Sequence, residues 1–277
     1  MGRYRWTVVI VGVAVVSAAV ILFFVAAPVT GKRPSVRIST PEPSVVATST
    51  VAAGYVDVPI LVYHNVRPHE AGETRDQRTY GVVSEDLEKQ LAFLDEHGYN
   101  YVTMGAVTDW ILGKGSLPEK PIALTFDDGR DTQYSAAWPI LKRHYAVATF
   151  YVFTNAIGRD GYLTWDQLKE MKDAGSEVGS HSVYHPYLWK VTDPKELESE
   201  IGGSKAAIDD RLDVSTTAFA YPFGPSSPQV VDRLKLDGYS SGRILSRRHA
   251  TATTSPFELP GAIATDDLRL LESFLRE

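Results

Sequence analysis

Two carboxylates stand side by side at Asp127 and Asp128, in the segment TFDDG that ends the apolar run IALTF. Adjacent side chains leave the backbone in different directions, so one carboxylate can hold a metal ion while its neighbour addresses a water on that ion. The ordinary alternative is a helix cap, because Asp favours the point where a strand turns into a helix and Gly129 would ease the turn. A second group follows at His181 and His185, in HSVYH. Two imidazoles four residues apart on a helical turn face the same side and can share one ion, although a single His more often sits at the surface or in a hydrogen-bonded core. The chain has no Cys, which excludes thiolate ligands, a thiol nucleophile and disulfides, so a metal must rest on His and carboxylate. Two His and one Asp make a three-ligand set with an open position, as a hydrolytic metal centre requires. At Ala220-Tyr221-Pro222-Phe223-Gly224 another apolar run breaks in a turn, where Tyr221, Pro222 and Phe223 would bring an aromatic group and an oxyanion-stabilising N–H to the same rim. His64 ends the run PILVYH and would point at the same mouth.

These groups meet only if the segments before them are strands of one sheet with a common C-terminal end. Six short apolar runs fit that role: PILVYH (59–64), YNYVTM (99–104), PIALTFDD (121–128), ATFYVF (148–153), SEVGSH (176–181) and TAFAYPF (217–223). Runs apolar throughout indicate parallel strands covered on one or both faces. Helical patterns separate them. One begins near Ser84, places Leu87, Leu91 and Leu94 on one face and stops at Gly98; a second begins with a capping box of Thr164 and Gln167 and stops near Gly175; a third has Asp193, Pro194 and Glu196 as cap, first-turn proline and box partner. About seven βα units in some 220 residues predict a barrel in preference to a doubly wound sheet, and in both architectures ligands sit at the C-terminal ends of strands.

The N-terminal region is different in kind. From Thr7 to Ala27 the chain carries no charge, with Arg3 and Arg5 ahead of it, and the stretch is long enough to cross a hydrocarbon core of ~30 Å. Phe24 and Pro28 make a poor signal-cleavage site, so residues 1–27 are expected to be a cytoplasmic stub and a retained, single-pass signal anchor, with the rest outside the cell membrane. Residues 28–54 mix Pro, Ser, Thr and Val without periodicity and read as a flexible linker. Residues 55–277 are then the globular domain, expected to be monomeric. Of 28 Lys and Arg and 34 Asp and Glu, five bases and one acid fall in residues 1–54. The remaining 23 bases and 33 acids give the domain a net charge of −10, which argues against a nucleic-acid partner.

Taken together, VPILVYHNV (58–66), LTFDDG (124–129), HSVYH (181–185) and FAYPFG (219–224) resemble the polysaccharide deacetylase family, carbohydrate esterase family four, in the order of its motifs. The resemblance implies a distorted (β/α)7 barrel and metal-dependent removal of acetyl groups from glycans. It implies Asp127 as catalytic base, Asp128, His181 and His185 as metal ligands, and the Phe223 N–H as oxyanion donor. The ligand set suits one divalent transition metal, Zn by default, with Co, Ni or Fe as alternatives to it and Mg or Ca disfavoured. An anchored domain best serves an N-acetylated amino-sugar polymer of its own envelope. An O-acetyl polysaccharide esterase and a glycan-binding barrel without chemistry are the competing functions, and Asp127 speaks against the second. Three positions depart from the family pattern. Ala220 and Tyr221 stand where many members carry the Arg that orients the base, Gly261 stands where related sequences often have Arg, and FELPGAIA lacks the motif that supplies a His to the leaving amine. His64 is the first candidate for that acid and His249 the second.

Overall fold

Strands covered on both faces are apolar along their length, and ILVY and PIALTF are buried at every residue. The computed structural model describes residues 57–276, all within one unit of the chain, Ala47–Glu277; the anchor and linker expected in residues 1–54 lie outside the described residues. Seven parallel strands form a closed ring: β1 (Ile60–Tyr63), β2 (Pro121–Phe126), β3 (Thr149–Val152), β4 (Glu177–Ser180), β5 (Ala218–Ala220), β6 (Ser241–Leu245) and β7 (Leu259–Ile263). Each pairs with the next in sequence, and β7 closes the ring on β1 with Ala262 opposite Leu61. Among the described residues no helix is long and apolar enough to cross a membrane.

The barrel agrees with the βα rhythm, with one correction to its membership. YNYVTM does contain a strand, Asn100–Val102, but it pairs only with Pro121–Ala123 at the lower half of β2, and β3 takes the upper half at Thr125 and Phe126. Three residues with an exposed first position cannot hold a place in a ring whose members are covered on both sides. The ring is completed by β6 and β7, neither of which is among the six runs.

Side-chain alternation divides the strands between two cores. Inward-facing Ile60, Ala123, Tyr151, Ala218, Ala220 and Leu259 fill the barrel above Val58, Met104 and Val107. Outward-facing Tyr63, Phe126 and Phe150 stack in series at 5.1 and 5.0 Å and meet the surrounding helices. The helix Ser84–Glu96 contributes Leu87, Leu91 and Leu94, all fully buried as predicted. The box at Thr164 and Gln167 forms with bonds of 3.2 and 2.8 Å. Asp193 caps the helix Pro194–Leu212 by accepting from the Lys195 N–H at 2.9 Å, a nearer partner than the box with Glu196 would use. Because Phe126 faces outward, the next residue, Asp127, faces the barrel mouth. His181 follows outward-facing Ser180, which hydrogen-bonds Ser204 at 2.6 Å, and faces the mouth in the same way.

Candidate active site

Asp127 is fixed by its own backbone, whose N–H donates to the Tyr63 carbonyl at 2.9 Å and continues the β1–β2 ladder. The chain then turns left-handed at two successive residues, Asp128 with φ 75° and Gly129 with φ 67°. A Cβ on Gly129 would also lie 3.0 Å from Ile157 and Val152, so the turn has both a conformational and a steric reason for glycine. It sends the two carboxylates apart. Among the described residues neither accepts from a backbone N–H, so the helix-cap alternative is not realised. Buried Gln133 donates to the carbonyls of His64, at 3.0 Å, and Asp127, tying two strand ends together from a π-helical turn, Gln133–Ala137.

The His pair is brought together differently from the helical turn its spacing predicts. HSVYH is irregular, with Ser182 at φ 70° and His185 at φ 59°. Glu200 holds the loop by accepting from the N–H groups of Val183 and Tyr184 at 3.0 and 2.9 Å, and Ser182 Oγ accepts from the His185 N–H at 2.9 Å. The two Nε2 atoms end 3.1 Å apart, and Asp128 Oδ1 lies 3.6 Å from that of His185 and 3.9 Å from that of His181. Asp128, His181 and His185 are the one group of this kind among the described residues whose ligand atoms all lie within 4.8 Å of one another. His181 Nδ1 donates to the Ala220 carbonyl at 2.7 Å, which leaves the Nε2 lone pair facing the cluster. Burial drives His181 down to about 4 and lowers His185 as well, so both rings are neutral at pH 7, the state in which imidazole is a ligand. One carboxylate and two neutral imidazoles fit a divalent transition metal.

The third motif carries no arginine, yet an arginine reaches Asp127 from elsewhere in the barrel. Arg243, fully buried on β6, donates through Nη2 to Asp127 Oδ2. It is the register partner of Ala220, so the guanidinium enters from the strand next to the one expected to carry it. Gly261, on the strand at the other side, makes room: a Cβ there would fall 2.6 Å from Arg243 Cδ and 2.7 Å from Val62. Ala220 and Gly261 thus place small residues on the two strands that flank the one carrying Arg243. Burial pushes the Asp127 carboxyl up, but Arg243, His181 and His64 together outweigh it and hold the group below the usual carboxylate range. Among the described residues Asp127 Oδ1 has no hydrogen-bond partner, so it stays available as a proton acceptor.

His64 lies at the mouth with Nε2 3.8 Å from Asp127 Oδ2 and its ring edge-on to Tyr80 at 4.6 Å. Burial lowers its pKa, and Nδ1 finds no partner among the described residues. His249 is elsewhere. It hydrogen-bonds Asp57 at 2.7 Å and the Phe274 carbonyl at 2.9 Å, beside the pairing of Ala250 with Val58 that precedes the N-terminal end of β1. At the opposite end of the barrel from Asp127, it is removed as a candidate acid. Tyr221 lines the cavity at the mouth while its hydroxyl donates to the Phe257 carbonyl at 3.0 Å, and Pro222 beside it is buried. Phe223 does reach the rim. It is 46% exposed, has φ 65°, and its N–H meets no acceptor among the described residues. A cavity of about 560 Å³ joins His64, Asp127, Asp128, His181, His185 and Phe223, and adds Arg67, Tyr80 and Arg130, which no motif singled out.

Residues 114–242 match the family described as polysaccharide deacetylase. In that segment the chain is similar to polysaccharide deacetylases. It is 29% identical over 185 residues to YxkH of Bacillus subtilis, a match covering 67% of this chain and 63%, less than two thirds, of that protein. It is 24% identical over 238 residues to the poly-β-1,6-N-acetyl-D-glucosamine N-deacetylase of Staphylococcus epidermidis, covering 78% and 81% of the two chains. Among solved structures, the deacetylase PplD of Streptococcus pyogenes, in complex with acetate, superposes with a TM-score of 0.72 at 27% identity over 80% of this chain and 99% of that one. IcaB from Ammonifex degensii gives 0.69 at 25% identity over 80% and 97%. The matched segment includes the strand ends that deliver Asp127, Asp128, His181 and His185, and it stops one residue before Arg243.

Proposed function

We propose that the chain is a metal-dependent hydrolase that removes acetyl groups from N-acetylated amino-sugar polymers of the cell envelope, held outside the membrane by the apolar stretch 7–27. The observation that carries the reading is the Arg243–Asp127 pair beside three convergent metal-ligand atoms. The name of the Staphylococcus epidermidis relative supports an amino-sugar substrate. Asp128, His181 and His185 would hold the divalent ion, Zn by default, and a bound ion supplies Lewis acidity toward the acetyl carbonyl and lowers the pKa of a water. Asp127 takes the proton of the attacking water at Oδ1, while Arg243 on Oδ2 keeps the carboxylate ionised and aimed. The Phe223 N–H donates to the oxyanion as it develops. His64 is neutral at pH 7, so it serves the leaving amine only by first receiving the proton that Asp127 has taken; its Nε2 lies 3.8 Å from Oδ2, the oxygen that Arg243 holds, so the transfer from Oδ1 requires the ring to move. An intact Asp127 held by a buried arginine disfavours a binding-only barrel, since a glycan binder needs no poised base.

The test is acetate release from a panel of N- and O-acetylated glycans by the chain as purified, after chelation and after restoring Zn. Release from N-acetylated amino-sugar polymers that disappears with chelation and returns with metal is expected. Release confined to O-acetyl esters would replace this reading with the esterase, and no release from any glycan would refute both.

A further inference from the structure

Beyond the metal-ligand cluster the rim continues as a line of exposed rings. Phe223 lies 4.6 Å from the His185 ring, Tyr187 stacks on Phe223 at 3.9 Å with 17° between planes, and Trp189 stands edge-on to Tyr187 at 6.4 Å. All three are large apolar side chains more than two-fifths exposed, and a contiguous exposed apolar surface running out of a cavity marks a binding surface. Their exposure is not looseness. Leu188, between Tyr187 and Trp189, is 1% exposed and anchors the short 3-10 turn Leu188–Lys190 in the core, and the Lys190 N–H closes the turn on the Tyr187 carbonyl at 2.8 Å. A buried anchor with aromatic neighbours standing in solvent holds the rings in place before a ligand arrives, which lowers the ordering cost of binding. Lys190 sets its ammonium 4.5 Å from the Tyr187 ring and 4.8 Å from that of Trp189, so the ledge carries one movable donor above apolar rings.

Flat rings with a hydrogen-bond donor at their edge complement a pyranose, which presents an apolar C–H face and a hydroxylated rim. We infer that Phe223, Tyr187, Trp189 and Lys190 form a subsite for a second sugar of the same glycan chain, next along from the sugar whose acetyl group is removed. The inference rests on the proposed deacetylation and adds to it a preference for chains over single sugars. Continuity decides the occupant: the ledge starts at the ring against His185 and leads away by two ring-to-ring steps, the path of a substrate already seated at the metal ligands.

The test compares kcat/KM for N-acetylglucosamine hexamers and dimers, in both β-1,4 and β-1,6 linkage, using the full chain loaded with Zn. For wild type the hexamer-to-dimer ratio should exceed one, and Trp189→Ala should cut it about ten-fold through KM, the scale of one lost stacking contact. Trp189→Tyr should restore most of the ratio, and Tyr145→Ala, at an exposed ring away from the ledge, should keep it. A ratio unchanged in Trp189→Ala overturns the subsite. If wild type releases no acetate from any oligomer, the proposed function fails and calorimetry judges the ledge: hexamer binding about ten-fold weaker in Trp189→Ala sustains it, and equal binding overturns it.

Discussion

The histidines of the mouth and those of the flank show how the pKa of one residue type is shifted in opposite directions. At the mouth, His181 and His185 keep their Nε2 atoms 3.6–3.9 Å from the nearest Asp128 oxygen, too far for a hydrogen bond, and burial lowers both pKa values. On the flank each imidazole lies between two carboxylates. His69 meets Asp266 at 2.6 Å and Glu73 at 3.1 Å, and His144 meets Asp95 at 2.5 Å and Glu88 at 3.0 Å. The bond to Asp266 leads in raising His69; at His144 burial pulls down, but Asp95 and Glu88 outweigh it. A histidine hydrogen-bonded through both nitrogens to carboxylates is a cationic pin with no lone pair to give. One kept off its carboxylates by about an ångström keeps a lone pair that a metal ion could take.

The widest separation of the two groups should come from metal analysis. His181→Ala with His185→Ala removes two of the three proposed ligands and should abolish metal retention, whereas His69→Gln with His144→Gln should leave the metal content at the wild-type value. Equal occupancy in the first double variant, or loss in the second, would break the comparison.

Arg243→Gln tests what keeps the mouth's carboxylate charged. Removing one partner of a buried ion pair strands the other at a cost of about 3–5 kcal/mol, to be read from urea denaturation. Arg243 helps hold the Asp127 pKa down, so its loss should raise that pKa and move the acid limb of acetate release to higher pH. Wild-type stability with an unmoved limb would show that the guanidinium does neither.

Smaller effects of opposite sign should appear in the pH dependence of stability of the metal-free protein. The unfolded chain binds a proton on His181 below about 6.5 that the folded state refuses until about 4, so stability should fall between those values by an order of 3 kcal/mol as the pH drops. His69 and His144 have raised folded pKa values, so their contribution is present below about 6.5 and is lost as pH rises through those values. Denaturation of the flank double variant between pH 4 and 9 should lack that alkaline-side loss and keep the acid-side fall. A flank variant with the wild-type profile on both sides would remove the pins from the account.

The meeting of Asp127, Asp128, His181 and His185 was legible because a strand end carries its chemistry in adjacent letters, as in TFDDG and HSVYH. Arg243 was not, since its partner lies across the barrel and its meaning depends on Ala220 and Gly261 on neighbouring strands. The signal was nonetheless present: a lone arginine inside SGRIL, a run with the pattern of a buried strand, must find a carboxylate. The left-handed residues at Ser182 and His185 had no marker, because a spacing of four suits a helix as well as this loop. His64 and His249 looked equivalent as letters, and only the topology, which puts one after the C-terminal end of β1 and the other beside the segment before its N-terminal end, separates them.

The division of labour between Asp127 and Asp128 is the centre of the account, and Asp127→Asn examines it directly, with metal content and acetate release measured on the same preparation. The amide keeps the shape of the side chain but cannot take the proton, so the variant should retain its metal and lose on the order of 10²–10⁴ in rate. Loss of the metal would mean that the two carboxylates have exchanged roles, and release at the wild-type rate would mean that the base is another group.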